Sequence, residues 1–186
     1  MGTVPRAEPV ARGRRGYGRG VSDDWTTRVD AVWAEFDDLP EDEVVRRIDE
    51  LAAERPEGDA LALFERAGSR DSVGREQEAE TLYRAALEAG LPSYEEARAT
   101  IQLASTIRNL DRAEESAAML AAWLRTHSDH ELAVAGAAFL ALSLASTGRP
   151  ADGLTELLRA VAPTLPRYQR SVRAYADELA GRVGPA

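Results

Sequence analysis

The residue types best suited to metal chemistry in this chain are two histidines, which flank an aspartate in a single short segment. His127 and His130 lie on either side of Asp129 in THSDHE, and imidazole and carboxylate groups are common zinc ligands. A closed zinc site requires four ligands. We therefore interpret the segment as a solvated loop with a helix cap, and we expect neither a metal nor a cofactor.

Acidic pairs and a glycine-rich segment are the other candidates for chemistry. The pairs Glu95–Glu96 and Glu114–Glu115 stand at predicted helix starts, where acidic side chains complement the helix dipole. General acid–base catalysis needs groups that converge in a pocket, and neither pair indicates one. The segment GYGRG at 16–20 resembles a phosphate-binding loop, but no predicted strand precedes it and no capped helix directly follows it. We predict that the protein is not an enzyme.

Composition and charge narrow the class of protein further. The chain has 186 residues, a net charge of −9 and no cysteine, so disulfides and thiol chemistry are excluded. An acidic body does not suit binding to duplex DNA or to an anionic membrane, and no apolar run approaches the length of a membrane span. Every basic residue is arginine, which, with the abundant alanine, indicates a bacterial genome rich in G and C.

The N-terminal segment differs from the rest of the chain. Residues 1–20 are rich in Gly, Pro and Arg and have little to bury, so we predict a disordered tail followed by a helical domain over 21–186. The arginines are not followed by an apolar stretch, and we therefore expect no secretory signal and a cytoplasmic location.

A turn with a helix after it recurs at a step of 37 residues. The three copies are VGREQEA at 73–79, LDRAEES at 110–116 and TGRPADG at 147–153. Residues that tolerate left-handed backbone occupy the helix stop in each copy: Gly74, Asp111 and Gly148. Small residues follow (Ala79, Ser116, Gly153), and large ones follow those (Tyr83, Leu120, Leu157), with Ala67, Ala104 and Ala141 aligned in the preceding helices. This spacing predicts helices that pack closely in pairs.

The predicted elements are all helical. The first helices of the repeats cover roughly 58–72, 94–109 and 130–146, and the second helices roughly 75–89, 112–126 and 150–162. Capping boxes at SYEE (93–96) and SDHE (128–131) mark two helix starts. A helix pair precedes the repeats, with the apolar residues Trp25, Val29, Val32, Trp33 and Phe36 on its first member, and a closing helix covers about 167–181.

The pattern of a small residue followed by a large one, over about residues 57–162, resembles the tetratricopeptide repeat (TPR) family. The resemblance implies an all-α, right-handed solenoid of helical hairpins, with about three repeats, an N-terminal helix pair and a C-terminal capping helix. The sequence departs from the family at Arg66 and Arg70, where Leu and an aromatic are usual. Trp123 stands at a usually small site, and the small run AVAGAA at 133–138 makes room for it.

In this family the first helices line a concave groove, which identifies a set of binding residues. Steps of four, three and four select Arg98, Gln102, Ser105 and Asn109 in the second repeat and Ala135, Phe139, Leu142 and Ser146 in the third. The same steps select Leu61, Glu65, Gly68 and Ser72 in the first repeat, and Arg108 aligns with Asp71. The predicted groove residues are Glu65, Asp71, Arg98, Gln102, Ser105, Arg108, Asn109 and Phe139. Either this row binds a peptide or an acidic tail, or it is a solvated face in which Arg108 and Asp71 form an inter-helix ion pair.

Three functional classes follow from these observations. The first is a non-enzymatic module that binds a protein segment in the concave groove. The second is a regulator in which the repeats sense a ligand and the basic arm contacts nucleic acid, although the body shows no basic recognition helix. An enzyme is the third and is disfavoured. The sequence does not identify the partner or the oligomeric state.

Overall fold

The computed structural model describes residues 24–182, and every α-helix in that range follows the predicted order. The chain divides into an N-terminal unit up to residue 95 and a C-terminal unit from residue 96. The predicted tail lies outside the described residues. The helices are α1 Asp24–Ala34, α2 Glu41–Ala52, α3 Ala60–Ser72, α4 Glu76–Ala89, α5 Ser93–Asn109, α6 Ala113–Thr126, α7 Ala133–Ser146, α8 Pro150–Val161 and α9 Gln169–Arg182. Between residues 24 and 182 no helix is both long and apolar enough to cross a bilayer.

The three repeated turns share one backbone geometry. Gly74, Asp111 and Gly148 have φ angles of 75°, 61° and 80°, as predicted for residues at a helix stop. In each turn the next residue, an arginine, donates its N–H to a carbonyl five positions back, at 2.8–3.1 Å. This is the Schellman arrangement, which satisfies carbonyls that the helix end leaves unpaired.

The arginine after each left-handed residue also begins the second helix. Its Nε donates to an acidic side chain three residues later, at 2.7–2.8 Å in all three repeats: Arg75 to Glu78, Arg112 to Glu115 and Arg149 to Asp152. These three arginines stand at the same 37-residue step as the turns. Each pair joins the turn to the first turn of the helix, where an acidic residue also complements the helix dipole.

Small residues bring the two helices of a hairpin into close contact, as the alignment predicted. Ala79, Ser116 and Gly153 are all buried. Ser116 Oγ donates to the Ala104 carbonyl at 2.6 Å, and a Cβ added to Gly153 would lie 2.7 Å from the Ala141 carbonyl oxygen. The second helix therefore approaches the backbone of the first at the aligned alanine.

The large aligned residues do not all reach the core. Tyr83 and Leu120 are fully buried, whereas Leu157 is only partly buried, so the three aligned positions are not equivalent in the core. Leu120 belongs to an apolar cluster to which α5, α6 and α7 all contribute. Leu157 lies on α8, which packs against α7 and α9, and the only fully buried described residue of α9 is the small Ala176.

The N-terminal unit has its own apolar cluster. Trp25, Val29 and Val32 of α1 pack with residues of α2 and with Ala62 of α3. Trp25 Nε1 donates to the Leu51 carbonyl at 2.7 Å, so the polar end of this buried side chain is satisfied. Helices α1 and α2 thus form a hairpin that is continuous with the packing of α2 against α3.

The start of α7 differs from the prediction. The helix begins at Ala133, its N-cap is Leu132 and no side-chain cap is present, so the capping box predicted at SDHE (128–131) is wrong. His130 Nδ1 instead accepts the Leu132 N–H at 3.1 Å. That bond satisfies a donor at the helix start and leaves Ser128 in the preceding loop.

Candidate functional site

The two histidines pack on a tryptophan in the loop between α6 and α7. The His127 ring stacks on Trp123 with centroids 5.0 Å apart and planes at 7°, and His130 meets the same ring edge-on at 5.6 Å. His127 Nδ1 lies 3.0 Å from the Trp123 carbonyl oxygen. Trp123 in turn fills the space beside Gly136, where an added Cβ would lie 2.8 Å from its ring. The histidines therefore close the end of α6, and the small run at 133–138 accommodates Trp123 as predicted.

No metal-binding arrangement occurs between residues 24 and 182, since no three His, Asp or Glu side chains come close enough to hold an ion. The acidic pairs also separate. Glu95 is buried, Glu114 is exposed and Glu115 binds Arg112. The GYGRG segment lies outside the described residues.

Helices α5 and α7 of the C-terminal unit leave side chains at equivalent positions partly or fully accessible to solvent. At positions related by 37 residues both helices bury the same side: Ala99 with Gly136, Thr100 with Ala137, Leu103 with Leu140, Thr106 with Ser143 and Ile107 with Leu144. The predicted row is partly buried or exposed on both helices: Arg98 with Ala135, Gln102 with Phe139, Ser105 with Leu142 and Asn109 with Ser146. We name these eight residues the α5–α7 face.

The α5 side of this face is polar. Gln102 Oε1 is shielded from solvent and has no hydrogen-bond partner among the described residues, and a shielded acceptor without a partner is costly. Arg108, beside the face, donates to Asn109 Oδ1 at 3.2 Å. Ser105 is partly buried and Asn109 is exposed. Arg98 is partly buried and takes part in a polar or electrostatic contact within the chain.

The α7 side of the face is mainly apolar, and its one polar member, Ser146, donates its hydroxyl to the Leu142 carbonyl at 3.1 Å. Leu142 is 47% exposed, although it is a large apolar side chain, and Phe139 packs partly against the core cluster. Side chains able to form hydrogen bonds therefore stand on one helix and apolar surface on the other, within the same unit.

The two groove residues predicted in the N-terminal unit have local partners. Glu65 is 3% exposed, and Trp33 Nε1 donates to its Oε2 at 2.7 Å. Its carboxylate therefore joins α3 to α1 and presents almost no surface to a partner protein. Asp71 Oδ2 accepts from the Tyr83 hydroxyl at 3.4 Å. Asp71 and Arg108 belong to different units, and the ion pair expected between them stays a prediction.

The departures from the family pattern at Arg66 and Arg70 have a structural explanation. Arg70 is buried and donates from both terminal nitrogens to Asp49 of α2, each at 2.7 Å, and Arg66 Nε donates to the same carboxylate at 3.0 Å. Partial burial raises the pKa of Asp49, but the hydrogen bonds and charges of Arg70 and Arg66 outweigh it and hold that pKa below its usual value. The repeat spacing does not predict this cluster, although the two arginines at i and i+4 on α3 are a visible signal of a charged partner.

The packing and the repeated turns agree with the comparison with known families. The profile of the family described as Tetratrico peptide repeat matches residues 60–179, which is more than half of the chain and includes α3 to α8. Repeats of this family are in general protein-interaction modules and are typically not catalytic. Neither the curated proteins nor the solved structures gave a match. The chain belongs to the tetratricopeptide repeat family.

Proposed function

We propose that the chain is a non-enzymatic interaction module whose α5–α7 face binds an extended segment of a partner protein. The observation that carries the proposal is that two successive first helices leave equivalent positions partly buried or exposed, and that these positions are polar on α5 and mainly apolar on α7. A buried face would require partners for its polar groups, whereas a binding face holds them for a ligand.

The polar side suits the backbone of an extended peptide. Such a segment brings unpaired N–H and C=O groups, and the partly buried side-chain amide of Gln102 lies in the row that would meet them. Ser105 and Asn109 supply further donors and acceptors. Arg108, one residue away, favours a segment that carries a carboxylate.

The apolar side suits a hydrophobic side chain of the same segment. Leu142 would lose its exposure to water on binding, at about 25 cal/mol for each Å² of apolar surface removed from solvent. Phe139 would form the base of that contact, because it already packs on the core cluster. Hydrogen bonds to the backbone would supply affinity, and the apolar contact would supply selectivity.

The remaining parts of the proposal rest on composition. The use of arginine in place of lysine favours a bacterial source. We also propose that the protein is located in the cytoplasm. The alternative of a nucleic-acid-binding regulator depends on the basic arm at 1–20, which lies outside the described residues, and no described contact favours it.

Paired variants of the full-length chain test the site. We expect affinity capture from a bacterial lysate to give a partner, whose bound segment is then mapped with overlapping synthetic peptides. Leu142→Glu should lower the affinity for that peptide at least about tenfold, because the new carboxylate would stand on the apolar side of the face. Leu154→Glu is the matched control, since Leu154 is 48% exposed on α8 and lies outside the face.

A second pair of measurements separates binding from stability. Arg98→Ala combined with Gln102→Ala should change the free energy of unfolding by no more than about 1 kcal/mol. The same double variant should bind the peptide with lower affinity. Because Arg98 already has a contact within the chain, Gln102→Ala is also measured alone. Strong destabilisation of the double variant would assign the polar row to structure, and unchanged affinity in stable variants would exclude the α5–α7 face.

A further inference from the structure

A second concave surface lies in the C-terminal unit, between α6 and α8. It is an open cleft of about 860 Å³, within the range of ligand sites. Its apolar lining includes Ala117 and Ala121 of α6 and Leu140 and Leu144 of α7. No residue of the α5–α7 face lines it, so this surface is separate from the site proposed above.

The charges on the rim of the cleft are unevenly satisfied. Arg149 pairs with Asp152 at 2.7 Å and Arg159 with Glu156 at 3.2 Å, and all four side chains line the cleft. The other two charged lining residues are Glu114 and Arg125 of α6, and within the described part of the chain neither has an ion pair or a side-chain hydrogen bond. The cleft therefore has one negative and one positive side chain that no other described side chain pairs with, apart from the favourable dipole of α6 itself.

These two charges stand at opposite ends of the same helix face. Glu114 lies in the first turn of α6 and Arg125 in the last. They are eleven positions apart, which is close to three full turns, so both project toward the cleft about 16 Å apart along the axis. This spacing of the two charges matches the spacing of side chains on one face of a second α-helix that lies alongside α6.

The walls of the cleft favour a helix over an extended strand. Both walls are α-helices, whose central backbone groups are already paired. Unlike the α5–α7 face, the middle of the α6 wall carries alanines and no amide or hydroxyl side chains, so it offers no partners to the backbone of an extended peptide. Alanines at positions 117, 118 and 121 line the α6 wall. Such small side chains permit another helix to approach to the usual interaxial distance of about 8–10 Å.

The direction of the bound helix follows from the connections. Helix α7 is joined to α8 by residues 147–149 and to α6 by residues 127–132, and such short connections join antiparallel neighbours. Helices α6 and α8 therefore run the same way. A guest helix antiparallel to both would oppose their dipoles, as α7 does, and would place its own N-terminus beside Arg125.

We propose that the cleft binds an amphipathic helix of a partner protein, antiparallel to α6 and α8. The guest has an acidic residue in its first turn against Arg125 and a basic residue eleven positions later against Glu114. Both positions also agree with the dipole of the guest helix. Between them it presents small and medium apolar side chains to the alanine wall, as in other helix-in-groove complexes.

A displayed peptide library tests this pattern with the full-length protein. Helical peptides of about 16 residues, long enough to span α6, are selected with every position randomised. We expect the enriched sequences to carry an acidic residue near the start, a basic residue eleven positions later and an apolar stripe between them. Ala118→Trp fills the cleft and should weaken an enriched peptide at least about tenfold. Ala122→Trp is the matched control, because Ala122 is exposed on α6 and does not line the cleft.

Charge reversal then tests the orientation. The variant Glu114→Arg with Arg125→Glu should prefer a peptide in which the two charges are exchanged. Gln102→Ala, on the α5–α7 face, should leave the binding unchanged, so that this proposal and the proposed function fail independently. No enrichment, enriched peptides without the charge pattern, or insensitivity to Ala118→Trp would overturn the proposal. A dimer in sedimentation that Ala118→Trp dissociates would assign the cleft to a second copy of the chain instead.

Discussion

The contact between α7 and α8 at Gly153 makes a sharp prediction for Gly153→Ala. In most helices this change stabilises the protein, because alanine has a helix propensity about 1 kcal/mol better than glycine. Here the new Cβ would lie 2.7 Å from the Ala141 carbonyl oxygen and 3.0 Å from the Ala141 Cα. Both are backbone atoms, so relief requires the two helices to separate by several tenths of an ångström.

The magnitude follows from the opposing contributions. Overpacking of a well-packed contact costs about 1–3 kcal/mol, and the contact with backbone places this case toward the upper end. After the gain of about 1 kcal/mol in propensity, we expect Gly153→Ala to lower the free energy of unfolding by about 1–2 kcal/mol. The melting temperature should fall by a few degrees for a chain of this size.

Gly68→Ala is the matched control. Its new Cβ would lie 3.4 Å from the Trp33 side chain, which is ordinary van der Waals contact, so the change should stabilise the protein by about 0.5–1 kcal/mol. Urea denaturation followed by circular dichroism compares the two variants with the wild type. If Gly153→Ala proves as stabilising as Gly68→Ala, the close approach of α8 to α7 is refuted.

Four further predictions test the core, the turns, the charge cluster and the tail. Leu120→Ala should cost about 2–5 kcal/mol in urea denaturation, as for a buried leucine, and the partly buried Leu157→Ala should cost less; equal losses would contradict the difference in burial. Asp111→Gly should raise stability by about 0.5–1 kcal/mol, because glycine adopts a positive φ without steric cost; a lower melting temperature would count against this. The pKa of Asp49 is held below its usual value, so its contribution is present above about pH 4 and is lost as the pH falls through the folded pKa; Asp49→Asn should therefore lose less stability than the wild type between pH 6 and pH 3, and a parallel loss would contradict the role of the cluster. A chain that begins at Val21 should melt within a degree or two of the full-length protein, because the composition of the preceding segment gives it little to bury, and a drop of several degrees would show that this segment packs on the body.

The repeat register was predictable because backbone geometry restricts residue type at a few positions. Left-handed backbone selects glycine or aspartate at 74, 111 and 148, and close helix approach selects small residues at 116 and 153. These requirements depend on local backbone geometry, so they produce a fixed spacing that can be recognised in the sequence. Helix bounds within a few residues follow from the same signals.

What the sequence did not predict depends on side chains that meet from distant elements. Glu65 lies at a groove position by its spacing, but Trp33 of α1 covers its carboxylate. Asp49 meets its two arginines from another helix. Helix α7 begins after the predicted capping box, and the Leu132 N–H is accepted by His130 Nδ1 and not by Ser128. Repeat spacing identifies the face on which a residue stands, and it carries no information about which neighbour will cover that face.

The position of Trp123, packed beneath His127 and His130 and apart in sequence from the other tryptophans, makes the tryptophan fluorescence of the chain informative. The other two tryptophans, Trp25 and Trp33, belong to the N-terminal unit, whereas Trp123 belongs to the C-terminal unit. Replacement of Trp25 and Trp33 by phenylalanine would leave the indole emission to report the C-terminal unit alone, and Trp123→Phe would reserve that emission for the N-terminal unit. Each half of the chain thus carries its own intrinsic fluorophore. Because Trp25 and Trp33 also donate hydrogen bonds to Leu51 and Glu65, the fluorescence midpoint of each variant is compared with the circular-dichroism midpoint of the same variant, and agreement of the two reports cooperative unfolding of the halves.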